Sequence, residues 1–186
     1  MKRLVATAAG ILAAFLLFGT SGCGYNTAIG LEEEVNSQWS QIEVQLKRRY
    51  DLIPNLVETV KGYAAHESEL FTEIAKVRES YFNAPSRDEK VEAATRLEGA
   101  LSRLLLLKEN YPQLKADQSF LKLQDSIEGT ENRIAVERKR YNDAVRDLNS
   151  YIRGIPGKWW ASLAGVKQAR YFEVREEEKA VPAVKF

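Results

Sequence analysis

Apolar residues recur at helical spacing along most of the chain. The first series is Leu31, Val35, Trp39, Ile42, Leu46 and Ile53. The second series is Leu56, Val60, Tyr63, Glu67, Leu70, Ile74, Val77 and Tyr81. Steps of three and four residues place such side chains on one face of an α-helix, so both stretches are predicted to be helices that pack through this face. Each face also contains a charge, because Arg49 falls in the gap of the first series and Glu67 belongs to the second.

A third helix is predicted after the break at residues 82–85. Ser86 with Glu89 three residues later has the pattern of a capping box, which opens a helix. We expect this helix to continue to about Asn110, because a proline at position 112 keeps the preceding residue out of the helical region.

The fourth helix is predicted to begin near Asp117 and to end at the Gly-Ile-Pro-Gly stretch 154–157. Its apolar residues follow a seven-residue repeat, as in a coiled coil. The repeat consists of Phe120, Ile127, Ile134, Tyr141 and Leu148.

Pro54 bears on where the first helix ends. Proline is tolerated in the first turn of a helix and disrupts a helix interior. We predict a turn at 51–54, with Asp51 capping a second helix, since one helix over 29–82 would be about 80 Å long. A kinked helix that continues through Pro54 stays the alternative. The predicted fold is all-α, an antiparallel up-and-down four-helix bundle with long helices over residues 29–153.

The first 23 residues have the pattern of a bacterial lipoprotein signal. A basic start precedes the uncharged, mostly apolar stretch 4–18, which is shorter than the roughly 20 residues of a membrane span. Small residues then lead into Cys23, the only cysteine. We expect residues 1–22 to be removed and Cys23 to carry a diacylglycerol with acyl chains such as palmitate, followed by a linker at 23–28. An uncleaved single-pass anchor and a free thiol after ordinary cleavage are the alternatives.

The charge balance and the motifs argue against several classes of protein. Lys and Arg number 27 and Asp and Glu 26, so no strong positive field favours nucleic acid. His66 is the only histidine, which excludes a two-histidine zinc site. The sequence contains no P-loop, dinucleotide fingerprint or nucleophile elbow. We therefore predict no metal, no cofactor and no enzymatic activity.

Charged residues near the predicted seams are interpreted as structural polar layers. They are Arg49, Glu67, Asp125, Arg133 and Glu137. At about 1.5 Å per residue, Arg49, Glu67 and Glu137 fall at three different depths, so they are not expected to form one active site. Asp125 is the predicted partner of Arg49, and Arg103 or Arg133 that of Glu67, because stranding a buried charge costs about 3–5 kcal/mol.

The C-terminal region, residues 154–186, differs in character from the bundle. A short apolar segment contains Trp159 and Trp160, which point about 100° apart on a helix. They therefore cannot both enter one core. Either there is packing on the bundle end alone, or one tryptophan packs there while the other meets a membrane interface or a partner. A charged run then leads to the final VPAVKF, which we interpret as an extended, flexible tail that docks onto a partner.

Long motifs make the chain similar to the LemA family. They are GCGYN at Cys23, WSQIEVQLKRRYDLIPNLVETVKGYAAHE at residues 39–67, NYPQLKADQSFLKLQDSIEGTENRIAVERKRYNDAVRDLN at 110–149 and YFE at 171–173. The resemblance implies an antiparallel four-helix bundle anchored to the bacterial envelope. It implies no enzymatic activity that can be assigned residue by residue.

These observations together predict a lipid-anchored envelope protein whose bundle faces the periplasm and binds other envelope proteins. The alternative is an envelope enzyme or ligand-binding bundle with an acidic core pocket. Loose candidates for such a pocket are Glu67, Glu128, Glu131 and Glu137.

Overall fold

A computed structural model of the chain describes the backbone of residues 21–172 and the side chains from residue 24 onward. In this part, the α-helices are α1 (Ser21–Lys61), α2 (Ser68–Asn83), α3 (Arg87–Leu106), α4 (Pro112–Lys115), α5 (Gln118–Arg153) and α6 (Gly157–Ala164). A 3-10 turn, Leu107–Glu109, follows α3. The predicted all-α helical bundle is confirmed. Most of the predicted signal or anchor segment and the tail beyond residue 172 lie outside the described residues.

The first helix is longer at both ends than predicted. The expected linker at 23–28 belongs to α1, and the expected turn at 51–54 is wrong, since Pro54 lies inside this helix. A proline at this position leaves the carbonyl of Tyr50, four residues earlier, without its helical N–H partner. Nε of Arg78 in α2 donates to that carbonyl at 3.4 Å. Tyr50, Ile53 and Leu56 are also buried, so packing and a substitute hydrogen bond keep the helix intact.

The chain reverses at residues 62–67, where sequence periodicity predicted a continuous helix. The carbonyl of Val60 accepts hydrogen bonds from the N–H groups of Tyr63 and Ala64, which extends helix-like spacing into the loop. The buried positions nevertheless change, because Ala64 and Phe71 are buried while Tyr63 is exposed. The second apolar series therefore spans two helices, because its first residues belong to the end of α1 and its last residues to α2.

The later boundaries agree with the sequence-based predictions. Ser86 is the N-cap of α3, accepting from the N–H of Glu89 at 3.3 Å while its hydroxyl donates to the Glu89 carboxylate at 2.8 Å. The N–H of Phe120 donates to Oδ1 of Asp117 at 2.8 Å, which caps α5. All five residues of the seven-residue repeat in α5 are buried.

The described residues divide into two compact units. The first unit comprises residues 21–39, residues 140–153 of α5, α6 and the segment that follows it to residue 171; the second comprises residues 40–139 and Phe172. Buried residues of the first unit include Val35, Trp39, Tyr141, Val145, Leu148 and Ala161. Those of the second unit include Tyr50, Leu97, Leu101, Leu104, Phe120 and Ile127. No helix in residues 21–172 has the length and apolar character needed to cross a membrane.

Candidate functional site

Arg49 is the one charged residue among those described that is buried, with 7% of its surface exposed. It forms an ion pair with Glu131 of α5, and the predicted partner Asp125 is exposed. The predicted pairing assumed that the helix ends near Pro54. Because α1 continues to Lys61, Arg49 lies about 18 Å from its end, and Glu131 lies about 20 Å from the start of α5. The longer helix thus explains the different partner.

Buried polar atoms without a hydrogen-bond partner lie in and beside this ion pair. Within the described residues they are Oε1 of Gln45, Nε of Arg49, the hydroxyl of Tyr50 and Oε2 of Glu131, the last of which is held by the ion pair with Arg49. The Tyr50 ring stacks on Tyr81, with 4.3 Å between the ring centroids. Burial raises the pKa of both phenols, that of Tyr81 to about 12, with the Glu43 carboxylate adding to the effect there. Both tyrosines therefore stay neutral at physiological pH and are poor candidates for a base.

The other predicted polar-layer residues do not come together around Arg49. Glu67 is half-buried at the N-cap position of α2, in the loop after α1, and not in a helix seam. Arg103, one of its two expected partners, forms an ion pair with Glu73 instead. Arg133 is exposed and Glu137 is half-buried on α5. Arg49 and Arg103 thus form ion pairs with residues other than the predicted ones.

The segment after α6 is pinned to α5 by two side chains of the first unit. Nδ2 of Asn149 donates to the carbonyl of Ala169 at 2.9 Å, and the N–H of Ala169 donates to Oδ1 of Asn149 at 3.0 Å. The Tyr141 hydroxyl donates to the carbonyl of Arg170 at 2.8 Å. We call Tyr141 and Asn149 the tail clamp. The sequence pattern identified Tyr141 only as an apolar residue of the seven-residue repeat, and it did not identify Asn149. No motif near Asn149 indicates that its partner is Ala169, 20 residues further along the chain.

A second set of contacts in the first unit joins the end of α5 and α6 to the start of α1. The Tyr151 hydroxyl donates to the carbonyl of Gly24 at 2.7 Å. The indole of Trp160 lies so close to Gly24 that an added Cβ would overlap the ring. A Cβ at Gly157 would likewise overlap the carbonyl of Tyr151, so glycine permits α6 to approach the end of α5. Of the two adjacent tryptophans, Trp160 is half-buried and Trp159 is exposed.

A surface hydrogen bond in the second unit links the loop after α1 to the cap of α5. The Tyr63 hydroxyl donates to Oδ2 of Asp117 at 2.8 Å. The hydrogen bond from the N–H of Phe120, and to a lesser extent that from the Tyr63 hydroxyl, hold the pKa of Asp117 below its usual value. The same bond to the Asp117 carboxylate raises the pKa of Tyr63. The charged carboxylate at a helix N-terminus is thus the form that this arrangement stabilises.

Comparison with known proteins decides the family. The LemA family profile matches residues 38–186. The chain belongs to the LemA family. The matched region of this LemA-family chain contains Arg49, Pro54 and the tail clamp, and it leaves out residues 1–37.

Individual relatives are distant. Magnetosome protein MamQ 2 of Paramagnetospirillum magneticum is 26% identical over 175 residues, covering 80% of this chain and 64% of the relative. Magnetosome protein MamQ of Magnetospirillum gryphiswaldense is 24% identical over 174 residues, with the same coverage. Protein LemA of Metamycoplasma hominis is 25% identical over 122 residues, covering 65% of this chain and 56% of the relative. The LemA-family chain thus spans less than two thirds of the length of these relatives.

The described surface of this LemA-family chain offers shallow grooves. One groove of about 490 Å³ is open to solvent and lined by residues of α2, among them Glu69, Glu73 and Lys76. Within the described residues, no group of three or more His, Cys, Asp or Glu side chains is placed to hold a metal ion. Of the loose acidic candidates, Glu131 is engaged by Arg49.

Proposed function

We propose that this chain is a membrane-anchored, non-catalytic interaction module of the bacterial envelope. The anchor is a lipid on Cys23, and the binding element is the tail beyond residue 172. The observation that carries the proposal is the tail clamp, because it fixes the backbone of residues 169–170 and so sets the point from which the tail starts. A tail with a fixed origin reaches a partner at a higher effective concentration than a free peptide does.

The sequence at both ends supports this division of roles. The apolar stretch 4–18 followed by Cys23 fits lipoprotein processing, which exports the chain and places the bundle in the periplasm. In the C-terminal segment, the stretch VPAVKF alternates apolar residues, which suits strand addition to the edge of a partner's sheet. Two relatives are named as magnetosome proteins, and we propose a membrane setting for this chain without a magnetosome role.

Photo-crosslinking in native membranes tests the tail. A photoreactive residue at position 184 is expected to crosslink to envelope proteins, and an excess of a VPAVKF peptide is expected to suppress these adducts. The matched control is the same photoreactive residue at Val136, an exposed apolar position on α5. Adducts that are equal at both positions and insensitive to the peptide would contradict a specific tail site.

Deletion of residues 181–186 tests whether the tail is separate from the fold. We expect unchanged helix content and an unchanged melting temperature, together with loss of the peptide-sensitive adducts. A large loss of stability would mean that the tail is part of the bundle, and the proposed binding role would fall.

The buried polar cluster favours one second candidate, a small-ligand site at Gln45, Arg49 and Tyr50. The three buried atoms without partners would supply donors and an acceptor to a polar ligand. This function requires that Arg49→Met abolish the cellular phenotype without lowering stability. If the chain is an interaction module, the phenotype of the Arg49→Met variant should weaken only in proportion to the decrease in folded protein.

A further inference from the structure

Helix α6 is apolar on the side that packs and also on part of the side that faces out. Gly157 and Ala161 are buried within the first unit. Trp159 and Leu163, which are four residues apart and so share a face, are 67% and 69% exposed. Lys158 and Ser162, also four residues apart, are exposed as well, so α6 presents an apolar strip beside a polar one, as helices at a membrane interface do.

Two further exposed apolar residues belong to the first unit. Ile155, in the turn that leads into α6, is 77% exposed, and Tyr25 in the first turns of α1 is 37% exposed. Single exposed apolar residues are ordinary on a soluble protein. Three of the most exposed apolar side chains within nine consecutive residues mark an interaction surface instead. We call Ile155, Trp159 and Leu163 the α6 surface.

The position of the α6 surface identifies what covers it. Trp160 lies against Gly24, and Tyr151 holds the Gly24 carbonyl, so α6 is fixed beside the residue that follows Cys23. The chain that precedes this point leads directly into the apolar stretch 4–18. Whether the anchor is a lipid on Cys23 or the stretch itself, it brings the membrane to this end of the first unit.

The charges around α6 complement an anionic membrane. Residues 148–172 contain four basic residues and no Asp or Glu, and residues 21–31 contain no charged residue. The basic residues are Arg153, Lys158, Lys167 and Arg170. Each Lys or Arg near an anionic bilayer surface contributes about 1 kcal/mol of attraction. Tryptophan is favoured at the same depth, where its ring meets the headgroups.

We infer that α6 is an interfacial membrane helix, whose α6 surface enters the headgroup region of the anionic membrane that holds the N-terminus. This inference rests on the proposed membrane anchoring. It adds that the first unit is seated on the bilayer by its own side chains, so that the orientation of α6 against the membrane is fixed and not left to a flexible tether.

Tryptophan quenching by brominated lipids tests the inference on the full-length, membrane-isolated protein. The protein is reconstituted into phosphatidylcholine vesicles with and without phosphatidylglycerol, each containing lipid brominated near the headgroup. We expect strong quenching, greater in the phosphatidylglycerol vesicles, and loss of most of it in Trp159→Phe. Trp39 supplies an unquenched background because it is buried in the first unit.

Two further variants separate insertion from non-specific contact. Leu163→Ser is expected to weaken the quenching of Trp159, since it removes the apolar neighbour on the same face. Val136→Ser, at an exposed apolar position of the second unit, is the matched control and is expected to leave quenching unchanged. Circular dichroism checks that every variant keeps its helix content.

Flotation of the vesicles distinguishes failure of this inference from failure of the proposed anchoring. If the protein floats with the vesicles and Trp159→Phe is quenched as much as wild type, the interfacial helix is overturned while the proposed anchor is retained. Protein that does not float would overturn both. Shielding of Trp159 by self-association in detergent, seen as a dimer by sedimentation, would assign the α6 surface to a second copy of the chain and also overturn the inference.

Discussion

The asymmetry of the ion pair between Arg49 and Glu131 gives it a testable energetic signature. The side chain of Arg49 is 8% exposed, whereas that of Glu131 is 31% exposed. Removing the acid leaves a buried guanidinium without its partner, which costs about 3 kcal/mol after allowance for partial solvent access. Removing the base with Arg49→Met leaves a carboxylate that is partly exposed although its Oε2 is buried, and the methionine fills the space, so we expect a smaller cost of about 1–2 kcal/mol.

Urea unfolding of Glu131→Ala, Arg49→Met and the double variant measures this difference. The double variant should be more stable than Glu131→Ala alone, because the stranded charge is gone. Asp125→Ala, at the exposed position that sequence reasoning chose as the partner, is the control and should change stability by no more than about 0.5 kcal/mol. Equal costs for the two single variants, with additivity in the double, would rule out the pair as described.

Asp117 makes part of the stability depend on acid. Its pKa is held below the usual value in the folded state, because the charged form accepts from the N–H of Phe120 and from Tyr63. The stabilisation is therefore fully present above the unfolded-state pKa of about 3.9 and is lost as the pH falls through the folded-state pKa.

Asp117→Asn keeps a capping oxygen but does not titrate in this range. We expect wild type to lose more stability than this variant when the pH is lowered from about 5 to below 4. Urea midpoints as a function of pH provide the measurement, with Asp125→Asn as the control at an exposed position on the same helix. Parallel curves for wild type and Asp117→Asn would show that this carboxylate contributes nothing to acid sensitivity.

At the scale of the elements, Pro54 is tolerated inside α1 because Arg78 replaces the missing hydrogen bond. Pro54→Ala restores the N–H to the Tyr50 carbonyl, and we expect it to raise the free energy of unfolding by about 1–3 kcal/mol. Arg78→Met should cost about 1 kcal/mol in the wild-type background and less when alanine is at position 54. Thermal or urea melts of the four proteins give the coupling. A destabilised Pro54→Ala would instead favour a turn at this proline.

The tail clamp is predicted to control the segment that follows α6. Asn149→Ala removes two hydrogen bonds to Ala169, so we expect a loss of about 1–2 kcal/mol and faster amide exchange at this residue. Hydrogen exchange with mass spectrometry reads the segment directly. Asn55→Ala, at an exposed position of α1, is the control. Unchanged exchange at Ala169 in Asn149→Ala would show that the clamp does not hold the tail.

Comparison of these elements with the sequence-based predictions shows which features are locally encoded. The capping box at Ser86, the cap at Asp117 and the seam of α5 follow from spacing within a few turns, and the structure has all three. The course of α1 through Pro54 depends on Arg78, which is 24 residues further along. The partner of Arg49 depended in turn on where α1 ends. The error at Pro54 thus propagated into the predicted polar layers.

At the scale of the whole molecule, the proposed function depends on residues 1–23 and on the tail beyond residue 172. The family match covers residues 38–186 and so leaves out the segment that the proposed anchor needs. The tail clamp and the α6 surface both belong to the first unit, which also contains the residues directly after Cys23. The proposed anchoring and the inferred seating on the bilayer therefore both involve the first unit. The second unit contains the buried ion pair.

The most direct test of this account is the mass of the mature protein purified from its native membranes. We predict a chain that begins at Cys23 and carries a diacylglycerol on its thiol, and a Cys23→Ala variant that lacks this mass and leaves the lipoprotein pathway. A chain still joined to residues 1–22, with an unmodified Cys23, would contradict the lipid anchor and replace it with a single-pass membrane anchor.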